Sequence, residues 1–268
     1  MLHASRFAMS YENLLVETSD GICTVRVNRP KALNAINEGV LNDLIKLAHE
    51  INANSKCKAV ILTGEGEKAF VAGADIASMK EMTALEARKF CELGHHAMHS
   101  VETIRQPVIA AVNGFCLGGG LELALSCDFI YASENAKMGL PEVNLGIFPG
   151  FGGTQRLARL IGRNRAKELI YSARIISADQ AYEWGIVNKV VTPDDLIVES
   201  KKTAEEIMSK GPVAVEIAKQ VVTQGSDLDL TSGLALERNS FPLIFATEDQ
   251  KEGVTAFLEK RKPDFKGK

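Results

Sequence analysis

The chain has 268 residues, 46% of them apolar and 24% charged, with a formal net charge of −3 and a pI near 6. That length and balance allow a large buried core and supply no overall field to attract nucleic acid or anionic membranes, so neither is an expected partner. Cys23, Cys57, Cys91, Cys116 and Cys127 are odd in number and form no CxxC pair, which suits reduced thiols and a cytoplasmic location.

No apolar run approaches the ~18–20 residues that span a bilayer. The first nine residues, Met1 to Met9, lack the apolar stretch of a secretory signal and read as a short extension, with Met9 a candidate alternative start. Leu14–Thr18 and Ile22–Asn28 then predict a hairpin turned at Ser19, Asp20 and Gly21. Asn37 opens a helix whose stripe includes Val40, Leu41, Leu44, Ala48 and Ile51. Ala59–Thr63 is a buried strand, and Thr83 with Glu86 forms a capping box for a long helix running towards Ile104. Val108–Val112, Phe129–Ala132 and Ile186–Val191 predict further strands, with helices over 152–161 and 164–172 and a short one capped by Ser177.

This β-then-α recurrence predicts an α/β core over 10–192. From 193 to 268 the pattern is helical: Thr192-Pro193 starts one helix, Gly211-Pro212 the next, and Thr247 with Gln250 caps the last. Pro242 interrupts an apolar series, so a kink or break is expected there. The apolar faces of this region lack partners within it, which suits packing on another subunit.

Two glycine-bearing turns stand at predicted strand-to-helix junctions: Val71-Ala72-Gly73-Ala74-Asp75-Ile76, and Asn113-Gly114-Phe115-Cys116-Leu117-Gly118-Gly119-Gly120. Free N–H groups at such a helix start can hold an oxyanion, although glycines there also serve tight packing. Neither turn matches a nucleotide-binding signature. Two glutamates in apolar surroundings add chemistry. Glu122 follows the triple glycine, and Glu142 lies in Gly139-Leu140-Pro141-Glu142-Val143. A carboxyl group so placed has a raised pKa and exchanges protons near neutrality. His95, His96 and His99 share one helix but lack a metal-site pattern, so no metal is expected.

Taken together, Asn28-Arg29-Pro30-Lys31-Ala32-Leu33-Asn34-Ala35, Ala72-Gly73-Ala74-Asp75, Leu117-Gly118-Gly119-Gly120-Leu121-Glu122 and Pro141-Glu142-Val143-Asn144-Leu145-Gly146 resemble the crotonase (enoyl-CoA hydratase/isomerase) superfamily. Further matches are Pro149-Gly150-Phe151-Gly152-Gly153-Thr154-Gln155-Arg156-Leu157 and Phe257-Leu258-Glu259-Lys260-Arg261. The resemblance covers about 10 to 265, in order and at family spacing.

The resemblance implies a spiral of ββα repeats followed by a helical trimerisation region, in a homotrimer or a hexamer of two stacked trimers. It implies hydration of 2-enoyl-CoA thioesters, with the N–H groups of Ala74 and Gly119 on the thioester oxygen and Glu122 and Glu142 as the catalytic pair. Arg29, Lys31, Ala32 and Leu33, with Ala72, Gly73, Asp75 and Ile76, would hold coenzyme A. Phe257 and Lys260 resemble residues that reach a neighbouring subunit's coenzyme A. Leu140 and Gly150 are expected in the acyl pocket, shaped also by the segment from Ile76 to about His99. Leu140 stands where many hydratases of this family carry a polar residue, commonly Gln. Coenzyme A enters as part of the substrate, with no resident cofactor. An enoyl-CoA isomerase, which can work with Glu142 alone, or another acyl-CoA reaction of the superfamily, is the alternative. An RNA-binding or purely structural protein of this fold would need a basic stripe that the sequence lacks.

Overall fold

The computed structural model describes residues 11–268, so the expected extension over Met1–Met9 lies outside the described residues. Strands β1 (Leu14–Ser19) and β2 (Ile22–Val27) pair antiparallel. Their turn puts Asp20 and Gly21 at φ 53° and 84°, as a tight right-twisted hairpin requires. Helix α1 (Glu38–Ala53) starts where the Asn37 side chain accepts the Val40 N–H at 2.9 Å. Its inward stripe is Val40, Leu41, Leu44, Leu47, Ala48 and Ile51, each nearly or fully buried, and burying each large aliphatic side chain contributes about 1.5–3 kcal/mol.

Strand β3 (Ala59–Gly64) leads to the short β4 (Ala69–Ala72). Helix α2 (Ala84–Glu102) opens on the expected capping box: Thr83 N–H donates to Glu86 at 2.8 Å, and Glu86 N–H donates to Thr83 Oγ1 at 3.3 Å. Then come β5 (Val108–Val112), β6 (Phe115–Leu117), α3 (Gly119–Ala124), β7 (Phe129–Ser133) and β8 (Lys137–Gly139). Helices α4 (Gly153–Ile161) and α5 (Arg163–Ser172), strand β9 (Ile176–Ser177), helix α6 (Ala178–Glu183) and strand β10 (Lys189–Val191) follow.

The six-stranded sheet has the order β1-β2-β3-β5-β7-β10, and the four-stranded sheet β4-β6-β8-β9. In each of the pairs β3/β4, β5/β6 and β7/β8 the first strand joins the larger sheet and the second joins the smaller. This alternation is the repeated ββ step of the expected spiral. β3 and β5 are buried along their whole length, which suits their continuous apolar sequence.

The predicted strand at Ile186–Val191 is shorter than expected. Gly185 takes a positive φ of 78°, and the N–H groups of Ile186 and Val187 both turn back to Ala181 O, so pairing begins only at Lys189. The predicted helix start at Thr192-Pro193 also moves. A turn in which Asp195 N–H donates to Thr192 precedes α7 (Leu196–Met208).

The chain divides into two compact units. One holds the described residues up to Ile104 with Val108–Lys201, and the other holds Arg105–Pro107 with Lys202–Lys268. Beyond α7, the second unit contains α8 (Pro212–Gly225), α9 (Leu230–Ile244) and α10 (Glu248–Leu258). No break occurs at Pro242. It sits near the end of α9, where the helix runs two more residues. Within this unit the Asp249 carboxylate accepts the N–H groups of Lys266 and Gly267, folding the last residues back onto the start of α10. Among the described residues no helix is long and apolar enough to cross a membrane.

Candidate active site

The short sheet aligns the two glycine turns. β4 runs parallel to β6, with Ala72 opposite Leu117, and β6 parallel to β8, with Leu117 opposite Gly139. The first turn is braced from the opposite side by the segment after Arg29. Ala72 N–H donates to Leu33 O at 3.0 Å, Ile36 N–H to Gly73 O at 2.9 Å, and Asp75 N–H to Ile36 O at 2.7 Å. These bonds leave the Ala74 N–H out of the bridge between Ile36 and Ala74. Leu33 and Asn34 take φ values of 50° and 60° to make this approach. The buried Asn34 side chain fixes the segment, accepting from Arg29 N–H and donating to Glu65 O and Ala69 O.

In the second turn Gly118 has φ 51°, and its N–H donates to Gly139 O at 2.9 Å. A Cβ there would lie 3.0 Å from Glu142 Oε1 and 3.6 Å from Gly73 Cα, so only glycine lets the two turns and this carboxyl group meet. Gly119 is the first residue of α3, and its N–H therefore has no acceptor within the helix.

Glu122, in the first turn of α3, is 1% exposed. Its Oε1 accepts the N–H groups of Phe151 at 2.8 Å and Gly153 at 2.7 Å. Burial raises its pKa, and those N–H groups together with the charge of Arg156 oppose the rise. Glu142 lies in a 3-10 helix at Pro141–Leu145, started by Pro141 and ended by Gly146 at φ 74°. Burial pushes its pKa up to about 7, and the charge of Glu122 adds to that rise. Its buried Oε2 has no hydrogen-bond partner among the described residues.

Both carboxyl groups line one cavity of about 560 Å³. Ala72, Gly73, Ala74 and Ile76 border it from the first turn, with Gly118 and Gly119 from the second. The expected 76–99 segment supplies Met79, Met82, Ala87, Phe90 and Cys91, and the 145–151 loop supplies Ile147, Phe148, Gly150 and Phe151. Phe151 meets Phe90 edge-on at 5.2 Å between centroids. The aromatic wall was not picked out from the sequence, because Phe148 and Phe151 lie in a loop without periodicity. The one available signal was the apolar residues crowded around Gly146 and Gly150.

Leu140 departs from expectation. It is fully buried and absent from the cavity wall, with its Cδ1 3.2 Å from the position a Cβ would take on Gly153. Strand β8 ends at Gly139, and Leu140 caps the 3-10 helix that carries Glu142. Arg29, Lys31, Ala32, Leu33 and Asp75 do not line the cavity either. They cluster beside the first turn, where Arg29 pairs with Asp75 at 3.1 Å. Phe257 and Lys260 lie in the helical unit. Phe257 is 82% exposed, and Lys260 is held at φ 55°.

The family model described as enoyl-CoA hydratase/isomerase matches residues 17–268. The chain is 50% identical over 257 residues to the crotonyl-CoA hydratase of Syntrophomonas wolfei, covering 96% of this chain and 99% of that protein. It is 52% identical over 254 residues to the short-chain-enoyl-CoA hydratase of Clostridium acetobutylicum, covering 95% and 97%. The crystal structure of an enoyl-CoA hydratase from Bacillus anthracis matches with a TM-score of 0.92 at 43% identity, covering 96% of this chain and all of that one (100%). The chain belongs to the enoyl-CoA hydratase/isomerase family of the crotonase superfamily.

Proposed function

We propose that this enoyl-CoA hydratase adds water reversibly, with syn geometry, to the C2–C3 double bond of a 2-enoyl-CoA, using Glu122 and Glu142 as a pair of proton carriers. The observation that carries this reading is the pair itself: two carboxyl groups in unlike settings on the wall of one cavity, beside two turns with outward N–H groups.

The thioester oxygen binds between the N–H groups of Ala74 and Gly119. As the hydroxyl adds to C3, negative charge moves to that oxygen, and preorganised donors stabilise it most when it is fully developed. Glu122 enters as the carboxylate, fixed through Oε1, and takes a proton from the water held over C3. Glu142 enters protonated, consistent with its raised pKa, and gives its proton to C2. The pair holds one proton before and after the step, and proton exchange with solvent restores its arrangement. The reverse path dehydrates the 3-hydroxyacyl-CoA.

Coenzyme A is part of the substrate in this scheme, and no metal or resident cofactor has a role. The Arg29–Leu33 segment and the Ala72–Ile76 turn, brought together by the Leu33–Ala72 hydrogen bond, hold its pantetheine and nucleotide. The apolar exposure of Val222, Leu230, Leu234, Phe241 and Leu243 supports assembly through the helical unit, as a trimer or a hexamer of two trimers. Phe257 and Lys260 then serve a neighbouring subunit's coenzyme A. The short-chain and crotonyl substrates named for the relatives make crotonyl-CoA the first substrate to try. Loss of its enoyl-thioester ultraviolet absorbance with the wild type, abolished in Glu142→Gln, is the expected result. A folded Glu142→Gln that hydrates at the wild-type rate overturns the assignment.

A further inference from the structure

The loop that holds Glu122 is itself held from its far side by an ion pair that the reaction does not use. Resting on the reading of Glu122 as the group that activates water, we propose that Arg156 and Glu102 are positioning residues for its carboxylate, acting through the Phe151–Gly153 loop.

The chain of contacts is continuous. Glu122 Oε1 takes the N–H groups of Phe151 and Gly153 at 2.8 and 2.7 Å. The carbonyl oxygen of the same Phe151 accepts from Arg156 Nη1 at 3.3 Å. The Arg156 fork then closes on Glu102, with Nε on Oε1 and Nη2 on Oε2, both at 3.1 Å. Glu102 is the last residue of α2, and Arg156 lies in the first turn of α4. The pair therefore anchors the loop to two helices, and a two-pronged guanidinium contact fixes direction as well as distance.

Both glycines of the loop serve this arrangement. Gly152 has φ 111°, and a Cβ on it would lie 2.3 Å from Arg156 Nη1. A Cβ on Gly153 would lie 2.9 Å from Glu122 Cγ. The guanidinium and the catalytic carboxylate thus approach the same two-residue stretch, each where a side chain is missing. The pair is only partly exposed, with side-chain values of 21% for Arg156 and 27% for Glu102. Burial alone would raise the Glu102 pKa, but Arg156 and His99 together outweigh it and hold the carboxyl below its usual range. Among the described residues, the other titratable groups facing this cluster include Glu142, which shares the cavity with Glu122, His99, whose Nδ1 is 3.5 Å from Glu102, and Cys91, which donates to Gly150 O at 2.8 Å. Arg156 also favours the charged form of Glu122.

An ordinary staple between helices would move only the melting temperature, so kinetics decide. The full chain carrying Arg156→Ala, Arg156→Lys or Glu102→Gln is assayed with crotonyl-CoA from pH 5 to 9, with Tm measured alongside. Arg156→Ala is expected to lower kcat about 10- to 100-fold while KM stays within about threefold, since a small displacement of a reacting group is costly. Its ascending pH limb should move to higher pH, because the cation that favours the Glu122 carboxylate is gone. Arg156→Lys should keep the limb near its wild-type place but not restore kcat, and Glu102→Gln should lower kcat without raising the limb. Should Arg156→Ala not fold, the lysine and Glu102 variants carry the test. Wild-type kcat and limb in folded variants overturn the proposal, whatever their Tm. Glu122→Gln, run in parallel, separates the two ideas: full hydration there removes the parent reading as well.

Discussion

The start of α3 and the turn after β8 each bring one glutamate to the same cavity, but they leave the two carboxyl groups in unlike hydrogen-bonding settings. Glu122 is deeply buried and tied by two N–H groups on one oxygen. Glu142 sits on a single turn of 3-10 helix, with a buried oxygen that no described residue satisfies. Two N–H donors favour a charged carboxylate, while an unpartnered buried oxygen favours a protonated one. In the proposed scheme this difference in backbone setting, rather than residue type, gives one side chain the role of base and the other the role of acid. On the proposed roles, the contrast places rigidity at the group that activates water and leaves the proton donor free to reach and release C2.

The largest expected effects come from cancelling either member of the pair. Glu142→Gln and Glu122→Gln should each lower kcat for crotonyl-CoA by about 10²–10⁴. The double variant should lose little more than the worse single one, since the two act as a unit. Additive losses in steady-state kinetics contradict that coupling. Gly119→Pro comes next, since it deletes a backbone donor at the first residue of a helix, where proline is tolerated. A loss of about 10²–10³ with retained circular dichroism is expected, and a near-normal rate would take Gly119 out of the oxyanion site.

Stability against pH sharpens the contrast further. The folded pKa of Glu142 is raised to about 7 from an ordinary 4.5, so the folded chain binds this proton more tightly than the unfolded chain. That contribution is full below about pH 4.5 and is lost as pH rises through 7. Removing the charge in Glu142→Gln should therefore stabilise the protein relative to wild type at pH 8, by on the order of 2–3 kcal/mol, and not at pH 4.5. Denaturant melts at the two pH values read the difference, and a gain confined to low pH contradicts the assignment. The smallest effect is expected behind the site. Leu140→Met should change stability by less than about 1.5 kcal/mol and leave KM nearly unchanged, because the side chain fills core rather than cavity. A severalfold rise in KM would return Leu140 to the acyl wall.

Much of the larger sheet could be read from the sequence, because strands such as Ala59–Gly64 and Val108–Val112 are continuous apolar runs and the helices carry Asn37, Thr83, Ser177 and Thr247 as caps. The smaller sheet could not. β4, β6, β8 and β9 are two to four residues long, too short for any period, and they exist only because neighbouring turns of the chain stack them. Glu122, Glu142 and the two glycine turns are legible in the sequence because a lone carboxylate in an apolar run is chemically conspicuous. Phe148 and Phe151 did not, since aromatic residues in a glycine-rich loop are equally suited to core packing. Leu140, expected on the acyl wall, is fully buried against Gly153 and does not line the cavity, which its place two residues before Glu142 does not reveal.

Hydrogen exchange directly separates the proposed handling of the C2 proton by Glu142 from the handling of the water by Glu122. Butyryl-CoA is saturated and cannot be hydrated, so exchange of its C2 hydrogens in D2O, followed by NMR, reports proton transfer at that carbon alone. Exchange is expected with the wild type and with Glu122→Gln, and none with Glu142→Gln. Exchange that persists in Glu142→Gln and disappears in Glu122→Gln would reverse the two roles.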